Sequence, residues 1–313
     1  MSLIAVVGSV WRDLRNSLKT ISVYNNKYSR LEILSAELIR NTHSIEKGLC
    51  IKEPRLGFGH EKQKEMINQI EVLSKESSPY YQEVCQMAIS ALEEYLIYHR
   101  EREYTDDFCK TLETFVESHK ISDGEKKGGT ITVNKESLCF DIDEIEHFFM
   151  TRHSIRDFDP SPVNENALEK ALHLAQRAPS ACNRQGVRAY VLNNKQGEQL
   201  AKLLSGVGGF AEQVGRYIVI TGKKSAYRLS ENNQYVVSAS IYAAYLTLTL
   251  HLYGLGACII QRPVIWSKMT DKLAKDIGAD RDEQIVCILA VGNLKESFKV
   301  PFSQRIDSVI KMK

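Results

Sequence analysis

The chain is poor in the features that would place it quickly. Its 313 residues include only seven prolines and two tryptophans, and its seven cysteines are scattered, nowhere forming a Cys-x-x-Cys pair. An odd, dispersed set of thiols argues against a disulfide framework and fits a reducing cytoplasm. An excess of charge of one sign is also missing. The 41 Lys and Arg residues against 39 Asp and Glu leave a net charge of +2, too little for a basic face that would attract a polynucleotide. No uninterrupted apolar run reaches the roughly 18 residues needed to cross a bilayer. The longest candidate, residues 235–255, contains Ser, Thr, Tyr and His throughout and reads as a buried helix. The apolar run within residues 1–8 has no basic segment ahead of it and meets Trp11-Arg12-Asp13 at once, unlike a signal peptide. The expectation is a cytoplasmic protein with neither a nucleic-acid nor a membrane partner.

What is present is ordinary globular material, with 43% hydrophobic and 26% charged residues. The length favours two domains, or one domain with a long extension. Over residues 28–49, Leu31, Leu34, Leu38 and Ile39 recur at helical spacing, until Glu53-Pro54-Arg55-Leu56-Gly57-Phe58-Gly59 breaks the pattern. Further helices are predicted over 60–73, after Pro79 and over 106–119, so the first part is all-helical. The turn-rich, charged stretch 122–130 reads as a surface linker. Beyond it, helices are predicted over 141–150, 164–177 and 231–253, and strands over 188–192, 216–221 and 284–291, without a regular strand-helix-strand repeat. The division is therefore a helical region at 1–121, a linker at 122–140 and a mixed α and β domain at 141–313.

Three clusters in the second part carry chemistry. In Arg152-His153-Ser154-Ile155-Arg156, two guanidinium forks and a hydroxyl are close enough to converge on one phosphate, although such a helix exit alone is more often a solvated surface. In Ala178-Pro179-Ser180-Ala181-Cys182-Asn183-Arg184-Gln185, Pro179 stops a helix, and the following loop offers donors and acceptors that could read a heterocycle or simply cap and turn. In Gly254-Leu255-Gly256-Ala257-Cys258-Ile259-Ile260, glycines end the long helix, and small residues let backbone approach a flat ligand. These glycines leave a helix and enter a strand, the reverse of the order in a Rossmann fingerprint. The triplet Tyr235, Tyr242 and Tyr245 is read as core or interface packing. One His and one Glu at helical spacing, His43 and Glu46, are read as a surface pair or helix cap, and no metal site is assigned.

In this order and spacing the three clusters, with a terminal Arg305, resemble the nitroreductase family of flavoproteins over residues 141–313. The resemblance implies an α+β fold with a mixed, largely antiparallel sheet flanked by helices, here preceded by the all-α region, and FMN bound at a homodimer interface. It implies that Arg152, Ser154 and Arg156 bind the phosphate, ribityl chain and pyrimidine edge, with His153 contributing backbone. Pro179, Ser180, Ala181, Asn183 and Gln185 would come from the other protomer. Backbone at Cys258, Ile259 and Ile260 would lie over the central ring. Only Arg305 keeps its charge in Ser303-Gln304-Arg305, where the family has a basic pair.

The implied activity is ping-pong hydride transfer from NADH or NADPH through the flavin to a small organic acceptor. The cofactor carries that chemistry, so no catalytic side chain is assigned. Two alternatives stand beside it. One is a flavin-binding protein of slow turnover whose helical extension recruits a partner; the other is an FMN-dependent dehydrogenase of a biosynthetic intermediate. The extension, with residues 40–49 and 55–59, resembles those of bacterial family members associated with surface-polysaccharide synthesis, and is expected to pack beside the flavin pocket and narrow access to it.

Overall fold

The computed structural model describes residues 3–26, 29–120, 126–204, 206–231, 233–260, 268–302, 305–306 and 310–311. The fold is α+β, an antiparallel sheet with helices against it, preceded by a helical region.

Helices α2 (Arg30–Leu49), α3 (His60–Leu73), α4 (Pro79–Arg100) and α5 (Asp107–His119) form a bundle of their own. Their apolar stripes meet in a core that includes Leu38, Met66, Ile70, Leu92, Tyr95 and Leu112, all fully buried. Each such side chain contributes about 1.5–3 kcal/mol relative to exposure. Local signals set the ends. Pro79 opens α4 where its missing N–H costs nothing, and the Asp106 carboxylate caps α5 by accepting from Cys109 N at 2.7 Å.

The stretch read as a linker is held more closely than its composition suggests. Residues 121–125 lie outside the described residues. Gly129 N donates to Glu46 at 3.0 Å, Thr130 N donates to Glu94 at 2.8 Å, and a side chain on Gly128 would strike the Met87 carbonyl at 2.2 Å. Backbone donors there meet carboxylates of α2 and α4, which is why a polar sequence can lie flat on the bundle.

Helix α1 (Leu3–Tyr24) was not anticipated from the sequence. It docks on the C-terminal part: Arg15 and Lys19 both pair with Asp271 at 2.7 Å, on helix α10 (Lys268–Asp276). Buried Asn16 donates to the Tyr235 hydroxyl at 3.0 Å and accepts from Lys224 at 2.6 Å.

In the sheet, β5 (Glu283–Leu294) pairs with β3 (Arg216–Lys223), β4 (Leu255–Ile260) and the two-residue β1 (Phe158–Asp159), while β2 (Val187–Val191) extends the sheet from β3. Helix α9 (Gln234–Leu252) is long and apolar enough to cross a membrane by length and composition. Here it is a core helix. Ala239, Ala243, Leu246 and Leu250 are buried with residues of α7 (Glu165–Ala175) and of strands β3 to β5. Of the tyrosines assigned to packing, Tyr235 is buried and Tyr242 packs against the core, but Tyr245 is exposed.

Gly222 on β3 sits where a Cβ would meet the Tyr235 carbonyl oxygen at 2.6 Å and its carbon at 3.0 Å, and backbone cannot swing aside. Gly222→Ala is expected to cost about 1–3 kcal/mol, the range for overpacking, read as a lower urea midpoint at unchanged slope.

Candidate functional site

The first and third clusters are joined. Helix α6 (Ile142–Thr151) ends at Arg152, and the chain turns extended alongside β4. Ile155 N donates to Ala257 O at 3.0 Å, and Ser154 forms an isolated parallel bridge with Ala257. The Ile155 side chain is buried, whereas His153 and Arg156 are exposed and Arg152 and Ser154 partly so. Gly256 permits this approach, since a Cβ there would lie 2.9 Å from the Leu294 side chain and 3.1 Å from that of Ile155.

Strand alternation then fixes what β4 offers. The Ala257 carbonyl points away from β5, toward Ile155, so the backbone of Ile259, two residues on, points to the same open edge. The Cys258 and Ile260 side chains are buried in the core on the other face, and that burial pushes the Cys258 thiol up. Ile259 is 37% exposed. Of the three residues expected at the ring, Ile259 alone offers both an outward backbone and an open side chain.

Charge at this edge is positive. Among the described residues, neither Arg152 nor Arg156 pairs with a carboxylate, although Arg156 reaches its own segment through Ser154 O at 3.4 Å. Burial, with Arg152 nearby, holds His251 below its ordinary value, so near neutral pH it meets Thr151 Oγ1 at 3.0 Å as a neutral ring. A narrow cavity here is lined by Arg152, His153, Thr247, His251, Gly256 and Phe298. A larger one, between Pro162, Leu192, Gly197 and Tyr217, contains none of the motif residues, and its Arg216 already pairs with Glu165. Arg305 is exposed, and Ser303 and Gln304 lie outside the described residues.

The second cluster stands apart. Among the described residues no hydrogen bond or ion pair links residues 180–185 to residues 152–156. The loop is tightly wound: Ser180 Oγ accepts from Gln185 N at 3.0 Å, and Asn183 N donates to Ser180 O at 2.9 Å. Cys182, Asn183 and Gln185 all adopt positive φ, at 51°, 52° and 50°, where residues with a Cβ are strained. Pro179, Asn183 and Gln185 are exposed, while Ser180 and Ala181 are partly buried.

Arg184, which motif reading passed over, holds this shape. It is 2% exposed, its two terminal nitrogens each lie 2.6 Å from a Glu231 oxygen, its Nε donates to Ala181 O at 2.9 Å, and it stacks 4.6 Å over Tyr227. The partner lies 47 positions away, so no local pattern announces it.

In the helical region His43 and Glu46 are 3.2 Å apart, and Glu46 also receives Gly129 N. His60, Asp106 and Cys109 place donor atoms within 4.8 Å of one another. The Asp106 oxygens, however, already accept from Cys109 N and, at 2.9 Å, from the Tyr104 hydroxyl. The cluster is accounted for as a helix cap with a histidine beside it.

Residues 149–215 match the model of the nitroreductase family. That match spans the first two clusters and stops short of the third. Solved structures similar to this chain include a nitroreductase with bound FMN from Bacteroides fragilis, 12% identical, covering 54% of this chain and 98% of its own, with a TM-score of 0.46. An FMN-dependent nitroreductase from Clostridium difficile is 27% identical over 52% of this chain and 92% of its own, with a TM-score of 0.43. A nitroreductase family protein from Streptococcus pneumoniae is 18% identical, covering 54% of this chain and all of its own, with a TM-score of 0.44. No curated protein matches the chain.

The Arg184 fork, with a backbone bond from Arg228, holds the Glu231 carboxyl at about 2 instead of its ordinary 4.5. Its contribution to stability is thus full above pH 4.5 and lost as pH falls toward 2. Glu231→Gln leaves a buried guanidinium without its counter-charge and is expected to cost about 3 kcal/mol at pH 7. Thermal melts of parent and variant should differ most near neutral pH and converge as pH falls from 4.5 toward 2.

Proposed function

We propose that the chain is an FMN-dependent oxidoreductase of the nitroreductase type, active as a homodimer. The observation that carries this reading is the edge of β4, where two arginines without carboxylate partners among the described residues, Ser154 and the outward Ile259 backbone lie together. Such a set fits FMN. Arg152 and Arg156 would neutralise the phosphate, Ser154 would accept or donate along the ribityl chain, and the Ile259 N–H would face the ring edge. When bound, FMN supplies hydride transfer from NADH or NADPH to a small organic acceptor, in ping-pong order. The chain positions the two substrates in turn and supplies no nucleophile.

The second half of the pocket would come from a second copy. The loop bearing Pro179, Ser180, Ala181, Asn183 and Gln185 shares no hydrogen bond or ion pair with residues 152–156 among the described residues, and exposed apolar side chains are available for a second copy to cover. Helix α6 buries none of its residues and exposes Ile142, Ile145, Phe149 and Met150, while α9 exposes Val237, Tyr245 and Leu252. Phe302 and Ile306, near the C-terminus, are exposed as well. Exposed apolar side chains in this number are what an association surface would use. The division at 1–121, 122–140 and 141–313 belongs to the same proposal, as does a reducing cytoplasm, which the free thiols favour.

A second reading, a flavin-binding protein of slow turnover that recruits a partner through its helical region, draws on α1. Val7, Val10, Trp11, Leu14, Leu18 and Ile21 form an exposed stripe there at helical spacing. Anaerobic bleaching separates the two. Fast loss of flavin absorbance with NADH or NADPH, followed by reoxidation with a nitroarene or quinone, is the enzyme's signature; a bound flavin that neither nucleotide bleaches sinks it. Phe149→Asp should give a monomer by light scattering, with FMN affinity falling at least about tenfold, since desolvating a carboxylate at an interface costs more than 1.4 kcal/mol.

A further inference from the structure

We infer that helix α2 of the helical region is a clamp on the loop at 180–185, so that flavin binding depends on residues that never reach the flavin. This rests on the reading of that loop as part of an FMN pocket.

Physical continuity carries the inference. The Arg184 fork to Glu231 is the post around which the strained loop turns. Glu231 is in turn fixed by Arg228 N at 2.8 Å. The Arg228 side chain leaves in the other direction and pairs with Glu37 of α2, Nε to Oε1 at 3.1 Å and Nη2 to Oε2 at 3.2 Å. Glu37 also receives Arg40 Nε at 2.9 Å. These bonds hold the Glu37 carboxyl below its ordinary value, against the opposing effect of burial. A chain of alternating charge thus runs from α2 to the loop: Arg40, Glu37, Arg228, Glu231, Arg184.

Beside it lies an apolar contact. Ala36 of α2, 5% exposed, is buried with Ala226, Tyr227 and Tyr235, and Ala181 of the loop packs on the same group. One turn earlier on α2, Glu32 pairs at 2.8 Å with Lys223, itself 5% exposed. Burial alone would lower the Lys223 pKa, yet Asp282 and Glu32 raise it, so the ammonium stays charged and the docking is electrostatically committed. Helix α2 is therefore packed on the turn Ala181–Asn183 and on the turn Lys224–Ala226 at once. Since loop geometry and α2 position are fixed by the same bonds, any ligand that selects the wound loop also selects the docked helix, and the coupling is reciprocal.

A double-mutant cycle on the full chain tests this, with Glu37→Gln, Arg228→Gln and their combination. The readout is the FMN dissociation constant, by quenching of flavin fluorescence. Each single variant is expected to weaken FMN about three- to tenfold, the effect of a partly buried pair, and the double variant no more than either single one. Losses that add in full, or constants within about twofold of the parent, overturn the clamp. Should a variant fold poorly, hydrogen exchange on the parent decides. Saturating FMN should slow exchange over residues 36–43 together with residues 180–185, and unchanged exchange on α2 overturns the inference. A parent chain that takes up no FMN overturns the flavin reading as well, whereas normal uptake with an additive cycle overturns the clamp alone.

Discussion

The structure depends on one strand. β5 is twelve residues long, and both of its edges are occupied: β3 along one, β4 along the other, with β1 paired at its end. Apart from Gln284, Asn293 and Leu294 its residues are all buried, so the strand cannot shift register without turning its apolar set out of both cores. Everything chemical hangs from that fixed line. β4 is held by β5, Ile155 is held by β4, and the Arg152–Arg156 segment takes its orientation from Ile155. Two glycines make the stacking possible, Gly256 beneath Ile155 and Gly292 beneath Phe158, where a Cβ would approach the ring to 2.7 Å.

Much of this was legible in the sequence because the signals were local. The periodicity over residues 60–73 marks α3 from His60 to Leu73, and Pro79 and the Asp106 cap announce the starts of α4 and α5. The helix ending at Gly254 was legible too, since that glycine adopts the left-handed conformation, φ 73°, that its absent side chain allows. What could not be read depends on distance along the chain. Helix α1 has an apolar stripe that stays exposed, and its anchors, Asp271 and Tyr235, lie more than 200 positions away. The same holds for the candidate site: the motif positions stood out, but the residue that shapes the second loop, Arg184, has its partner on a remote segment. Strand alternation, invisible in a list of motif residues, separates Ile259 from Cys258 and Ile260.

The helical region is attached by buried polar contacts as much as by apolar ones, which is a costly way to join two parts. Lys224 shows the cost: burial, with Lys19 adding, lowers its pKa to about 8 even though Asn16 accepts a hydrogen bond from it. Such contacts contribute little net stability. They do impose one geometry, because misdocked arrangements leave a buried charge without its partner, and a helix that must present Glu32 and Glu37 to two fixed cations gains from that selectivity.

The left-handed residues of the second loop set its energetic balance. Three side-chain-bearing residues in that region cost about 1–2 kcal/mol each, somewhat less for asparagine, for a total near 3–5 kcal/mol. Breaking a buried ion pair costs about the same. Strain of that size has to be held by bonds elsewhere, and the Arg184 fork to Glu231 holds it. The small apolar contact at Ala36 and Ala181 adds to that hold. A backbone held so far from its relaxed conformations needs its anchors in place, and the chain of bonds behind one of them begins on the neighbouring helix.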